Sequence, residues 1–535
     1  MDVRQGALVA AILGSTVVSV DATVVNVALP AIGDDLGGGL AGQQWVANVY
    51  LLTLAALILI SGSLSDLFGE RRVFSIGVAA FGVTSVFCAI APTIEVLVAA
   101  RALQGVSGAL LTPAALAILI AVFPPEERGK AIGTWTAWGG IGMLLGPLLG
   151  GQIVDSTSWR VVFAINVPLV LGTLALAARF VPEGGRANDP TVARPHVDVQ
   201  GAVLCALGLA GPTFALIQQP GYGWGSPGVL VPLIVGLALF AAFLRHEART
   251  PEPMLPLGLF ARPNFRWGNV QTLSMYGGLA IFGFFVGLFL QQVAGYSALK
   301  AGTIGLVPTA VMFVLSRRFG ALADRYGPRL FMGIGPLVVA AGFLAMLRLD
   351  ERVSFLGDLM PALLLFSLGI SITVAPLTAA VLADADESNA GIASAVNNAV
   401  ARTSALLVTA AVGAVLAATY ASGVTSGLEG RPLSAAGAAL VEVAKDRALN
   451  VPDVSALPAA ERAPIVEATR SAAIDAFHLG MVIAAVLLAA GGLTGLLKIR
   501  NPPREDVHCE DCAGGQLAGV PLEVAEIPRR QPARA

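Results

Sequence analysis

The chain has 535 residues, 56% of them hydrophobic and only 13% charged, with a formal net charge of −2. Globular domains carry about 25% charged residues, so this composition, with a mean hydropathy of +0.76, excludes a soluble multidomain protein and fits one that crosses a membrane many times. No basic face points to nucleic acid, and the four cysteines, Cys88 and Cys205 among them inside apolar runs, make no disulfide framework.

A helix needs about 20 apolar residues to cross ~30 Å of hydrocarbon. That rule predicts fourteen spans: 7–29, 43–62, 73–91, 94–122, 130–153, 161–180, 199–219, 227–246, 267–291, 302–318, 330–348, 356–381, 391–420 and 477–498. The first is too long for a signal-peptide core and is read as retained. Lys and Arg set the orientation. Arg71, Arg72, Arg128, Lys130, Arg179, Arg245, Arg262, Arg317, Arg325 and Arg329 fall on one side, against Arg160, Lys300, Arg348 and Arg352 on the other. Both termini are therefore expected on the cytoplasmic side.

The expected organisation is a six-helix bundle over 1–182, two inserted helices with their flanking loops over 183–262, and a second six-helix bundle over 263–500. The outer loop 421–475 reads as two short helices, 436–449 and 458–473, and the tail 501–535 as unstructured.

In span 1, Asp21 is an acid well inside the hydrocarbon layer, with Asn26 further along the same helix. An intramembrane carboxylate is costly and is a functional candidate by default; a purely structural partner of a basic residue is the other reading. Span 4 carries Arg101 and Gln104. Counted from the nearer membrane boundary at 1.5 Å per residue, Asp21 lies about 16 Å deep and Arg101 about 10 Å, close enough in level to meet. A guanidinium nearby favours the charged carboxylate and the hydrocarbon disfavours it. A purely structural Arg101 is the alternative.

Between spans 2 and 3 stands Gly62-Ser-Leu-Ser-Asp66-Leu-Phe-Gly69-Glu-Arg71, and between spans 10 and 11 Gly320-Ala-Leu-Ala-Asp324-Arg-Tyr-Gly327-Pro-Arg329. A charged loop repeated at matching places points to a duplicated transporter with parallel halves. Span 5 holds Gly133, Gly142, Gly146, Pro147, Gly150 and Gly151. Small residues at that spacing let helices approach closely in lipid, and the proline bends the helix.

The repeated loop resembles the signature of the major facilitator superfamily, whose members are secondary transporters. The span 5 register resembles the motif of its drug-exporting antiporters. Together with Trp45-Val-Ala-Asn48-Val-Tyr50, Trp159-Arg160 to Asn166 and Pro168, Gln291-Gln292, Gly295-Tyr296, Ala301-Gly302, Gly391 to Ser394, Asn397-Asn398 and Arg402, the chain is similar to the fourteen-span drug:proton branch, over about residues 7–420 and the last span.

The resemblance implies a proton-driven exporter in the bacterial plasma membrane, a monomer with no cofactor beyond the proton gradient. Asp21 would be the proton-coupling or substrate-sensing acid, with Arg101 its partner and Asn26 and Gln104 beside it. Asp66 and Arg71 with Gly62 and Gly69 would form a cytoplasmic latch, with Asp324 and Arg329 its weaker copy; a solvated, structural Asp66 is the alternative. The span 5 glycines and Pro147 would be packing and hinge residues. Some relatives that export divalent cations carry acids in the second half. None is placed well inside spans 9–14 here, so a neutral, amphipathic or singly charged cargo is expected. No G-x-x-x-x-G-K-[ST] loop is present, which argues against ATP hydrolysis. The scattered histidines 196, 246, 478 and 508 argue against a membrane enzyme. The tail's His508, Cys509 and Cys512 fall short of the four ligands a structural zinc wants, so no metal is expected. A lipid, siderophore or self-made metabolite is the rival cargo, and a proton-independent uptake carrier the rival mode.

Overall fold

The structure, a computed structural model, describes residues 2–183, 198–251, 253–383 and 390–501, apart from the side chains of a few helical residues. Gly62, Asp66, Gly133 and Asp324 are among those few, and the tail thiols lie past residue 501, so the expectations placed on them fall outside the described residues.

The elements run in chain order as α1 (Val3–Leu36), α2 (Gly39–Phe68), α3 (Glu70–Ala89), α4 (Ile94–Val122), α5 (Pro125–Ser156), α6 (Trp159–Ala164), α7 (Asn166–Phe180), α8 (Val199–Tyr222) and α9 (Pro227–Glu247). They continue as α10 (Pro263–Ile281), α11 (Gly287–Gln292), α12 (Ala298–Thr303), α13 (Leu306–Tyr326), α14 (Pro328–Ala345), α15 (Met360–Ala383), α16 (Ala390–Gly427), α17 (Ala435–Lys445) and α18 (Ala459–Lys498). A π turn, Phe282–Val286, joins α10 to α11, and a second, Phe355–Leu359, opens α15. Twelve helices among the described residues are long and apolar enough to cross a membrane. The predicted spans 43–62 and 130–153 fall in α2 and α5, helices of 30 and 32 residues.

Helix starts follow the capping rule, a side-chain oxygen satisfying an orphan N–H. Thr93 caps α4 through Val96 N, Ser158 caps α6 through Arg160 N, and Ser434 caps α17 through Gly437 N. Most helices overrun the predicted spans, because hydropathy marks only the part that suits lipid.

One expectation is corrected. The segment 458–473 is no separate loop helix. It is the first part of α18, which runs unbroken for 40 residues. Its charged positions, among them Glu461, Arg462, Glu467 and Arg470, hid that continuity from a rule based on apolar runs. The other predicted loop helix is present as α17.

In the first half α1 packs on α4, α5 and α7, α2 on α4, and α3 on α4 and α7. In the second, α14 packs on α15 and α18, α13 on α15, and α10 on α16 and α18. The α8–α9 hairpin lies against α2 and α16, one helix from each half, through Leu52, Cys205, Leu209, Phe243 and Leu406. Trp45 and Phe214 add a ring contact at 5.8 Å.

The halves meet along two seams. On one, Gln44 of α2 donates to Thr409 O of α16 at 2.8 Å. On the other, Asp155 at the end of α5 accepts from Ala298 N and Leu299 N, both at 2.9 Å. Here backbones nearly touch: a Cβ on Gly151 would stand 2.5 Å from Leu299 Cα, and one on Gly302 would stand 2.9 Å from the carbonyl carbon of Pro147. The same end is bridged by the loop after α17, where Leu40 N donates to Asp446 O.

Gly151→Val or Gly302→Val is expected to wedge this seam. A cysteine introduced at buried Ala301 should then react with a water-soluble maleimide severalfold faster than in the parent; equal rates would mean that the close approach does not hold the seam shut.

Candidate functional site

Arg101 and Gln104 stand three apart on α4 and so share a face. That face meets α1 at Asp21, α3 at Ser85 and α7 at Asn166. Asp21 and Arg101 form an ion pair at 2.5 Å with side chains 0% and 2% exposed. The other carboxylate oxygen of Asp21 accepts from Gln104 Nε2 and Asn166 Nδ2, each at 3.0 Å. Both amides also donate to Ser85 Oγ, at 2.9 and 3.2 Å. Arg101 Nη1 is shared with Gln104 Oε1 at 2.6 Å, and its Nε donates to Val46 O of α2 at 3.2 Å. The guanidinium lies 4.3 Å from the centre of the Tyr50 ring.

Five helices thus converge on one buried carboxylate. Stripping two charges of water costs several kcal/mol per ion, and the attraction offsets this only when the remaining donors and acceptors are also paired. Here Asp21 is bonded on both oxygens and Arg101 on two of its nitrogens. The unpartnered atoms lie at the edge of the cluster: Tyr50 Oη, Asn48 Nδ2 and Asn166 Oδ1.

The structure therefore brings together Asp21, Arg101 and Gln104, and leaves Asn26 elsewhere. Asn26 lines a separate cavity of about 150 Å³ between the halves, with Thr23, Pro147, Gly302 and the π turn at Phe282–Val286. The sequence by itself assigns no role to Ser85 or Asn166. Asn166 could have been found as a polar residue in an apolar span; a lone serine such as Ser85 carries no comparable signal.

The glycines of α5 divide between two neighbours. Gly142, Gly146 and Gly150, four apart, face α1: their Cβ atoms would crowd Thr16, Thr23 and Val24 in turn. Gly151 faces α12 of the other half. The helix carrying Asp21 thus rests on the helix whose end closes the seam.

The repeated loops match in backbone and in bonding. Gly69 and Gly327 close their preceding helices at φ 89° and 86°, where a side chain would be strained. Arg71 donates to Ala178 O at 3.0 Å and pairs with Glu183 at 2.9 Å. Arg329 donates from its side chain to Leu496 O at 2.6 Å and from its backbone N to Asn501 Oδ1 at 3.1 Å. Each arginine ties its loop to the end of the last helix of its own half.

At the bridged end the halves enclose a cavity of about 670 Å³, lined by Asp34, Asp155, Gln291, Gln292, Arg447 and Asp453 among others.

The family pattern described as Major Facilitator Superfamily matches residues 11–440. A tetracenomycin C resistance and export protein of Streptomyces glaucescens is 31% identical, over 93% of this chain and 92% of its own. The cephamycin export protein CmcT of Amycolatopsis lactamdurans is 37% identical, over 73% and 81%. The multidrug efflux pump LfrA of Mycolicibacterium smegmatis is 32% identical, over 90% and 93%. Among solved structures, a bacterial homologue of the human lysosomal transporter Spinster, inward-facing and unoccupied, superposes with a TM-score of 0.63 at 18% identity, covering 94% of this chain and 99% of that one.

Arg101→Ala leaves the Asp21 carboxylate buried and unpaired and is expected to cost about 3–5 kcal/mol, and Asn166→Ala about 1–3 kcal/mol. Adding Asp21→Asn to Arg101→Ala should recover part of the loss. Denaturant unfolding of the purified variants reads both effects; additive losses would mean that the pair is not coupled.

Proposed function

The chain belongs to the major facilitator superfamily, and we propose that it is a proton-coupled secondary transporter that exports drugs, antibiotics or other hydrophobic compounds by alternating access. The observation that carries this reading is the chain of contacts from Asp21 through α1 to the glycine stripe of α5 and on to the seam at Gly151. The export and efflux names of the relatives supply the direction and the cargo class.

The multi-pass fold is read as fourteen spans, the twelve apolar helices together with α2 and α5. They form two six-helix bundles with α8 and α9 inserted. The Lys and Arg bias puts both termini in the cytoplasm and the bridged end of the seams outside.

In the proposed cycle Asp21 is the coupling acid, and Arg101 and Gln104 hold it. Rocking of the two halves opens the contact of α5 with α12 and exposes the site outward. Protonation of Asp21 from outside then removes the charge on which Arg101, Gln104 and Asn166 converge, α1 shifts against α4 and α7, and the glycine stripe passes the shift to α5. That shift promotes release of the cargo, and the return step carries the proton in. Asn26 lies in the cavity between the halves, where it meets cargo rather than the proton. Arg71 and Arg329 keep each bundle rigid during rocking by fastening its loop to its last helix.

A second reading, a single metabolite made by the same cell, draws on the two relatives named for one antibiotic each.

Expressed in an efflux-deficient host at matched membrane abundance, the wild type should export a dye or drug. A protonophore, and Asp21→Asn, should each abolish that export. Persistence under both would overturn proton coupling through Asp21. Gly146→Val, whose side chain would strike Thr23, should also stop export while leaving the protein in the membrane.

A further inference from the structure

The cavity of about 670 Å³ at the bridged end has the size of a site for a drug-sized ligand. Pro30 and Asp34 of α1 and Asp155 of α5 line it from the first half, and Gln291 and Gln292 of α11 from the second. The chain after α17 roofs it with Arg447, Asn450 and Asp453. That roof is fastened to both halves, by the Leu40 bond to Asp446 O and by Tyr420 Oη of α16, which donates to Asn450 O at 2.7 Å. Gln291 also lines the smaller cavity that holds Asn26. The two cavities therefore follow one another along α1, parted by the close approach at Gly151 and Gly302.

The lining carries three carboxylates, Asp34, Asp155 and Asp453, against the guanidinium of Arg447. Neighbouring cations are engaged elsewhere: Arg160 pairs with Asp35, Lys445 with Glu442, and Lys300 Nζ lies 3.5 Å from the centre of the Tyr296 ring. Negative charge is therefore in excess around the cavity. Beside it is a recess of about 10 Å³, room for one water-sized group, which shares Asp34, Gln292, Arg447 and Asn450 with the larger space. Gln43 of α2 also lines the recess, and its Oε1 is buried without a partner in a residue only 5% exposed. A buried acceptor is costly until a donor reaches it. Water there would satisfy Gln43 alone. A primary ammonium, compact and carrying three N–H donors, answers both the open acceptor and the excess of carboxylate.

We propose that this outer cavity binds an amphipathic primary amine, whose ammonium enters the recess between Asp34 and Gln43 and whose apolar body lies on Pro30, Leu440 and Val443. The proposal rests on the export reading for calling the ligand cargo, but not for the binding itself. A compound seated there touches both halves and the roof. It occupies the last station before release, and when the cavity is filled from outside it holds the bridged end closed.

The test is binding to the purified full-length protein in detergent, with pyrenylmethylammonium, its trimethylated form and pyrenylmethanol as matched fluorescent probes. Wild type should bind the primary ammonium about tenfold more tightly than the alcohol. It should also prefer it about fivefold over the trimethylated form, which is too large for the recess and has no N–H to give Gln43. Asp34→Asn, at an exposed position, should remove most of the preference over the alcohol and leave alcohol affinity unchanged. Val443→Cys, in a Cys509→Ser, Cys512→Ser background, places the site: saturating ammonium should slow its reaction with a water-soluble maleimide severalfold. Equal affinities for ammonium and alcohol in the wild type, a preference that survives Asp34→Asn, or labelling of Val443→Cys that the ammonium does not slow would each overturn the proposal. So would a trimethylated probe that binds as tightly as the primary ammonium. Failure of dye export with the binding preference intact would count against the export reading alone.

Discussion

The buried pair of Asp21 and Arg101 is the interaction on which the first half of the molecule turns. Two fully desolvated charges are tolerated because five helices each give something to them: α1 the acid, α2 a carbonyl, α3 a hydroxyl, α4 the base and an amide, α7 a second amide. Replacement of the pair by apolar side chains would cost little in principle. Its presence is better understood as a requirement that these helices hold one register while the acid is charged. In the proposed cycle, protonation acts on an arrangement rather than on a single contact.

The second half keeps the architecture without a buried acid in α10, α14, α15 or α16. There α10 and α16 meet through Asn397, which donates to Asn269 and Thr272 at 3.1 and 2.8 Å. The loops are less divergent: Gly69 with Arg71 and Gly327 with Arg329 do equivalent work at equivalent places.

Much of this was legible from residues alone. Apolar runs located the helices, and the depth of Asp21 and Arg101 anticipated that they could meet. The i, i+4 spacing of Gly142, Gly146 and Gly150 marked a packing face, though not that α1 fills it, nor that Gly151 turns to the opposite half. Partners from distant segments were less visible. Ser85 and Asn166 are common residue types whose value lies in where the fold puts them, and Asn26, on the same helix as Asp21, belongs to another cavity. The length of α18 was hidden for a different reason, since a helix that leaves the bilayer keeps its backbone pattern and changes only its polarity.

The α8–α9 hairpin makes the two flanks of the molecule unlike one another to the surrounding lipid. It roofs the seam of α2 and α16 and presents Val231, Ile234 and Leu237 outward, each more than half exposed. The opposite flank, by α5 and α13, has no such cover among the described residues and shows Trp138, Leu145 and Phe313. The two flanks therefore offer the surrounding lipid different contacts, a continuous hairpin on one and two separate helices, one from each half, on the other.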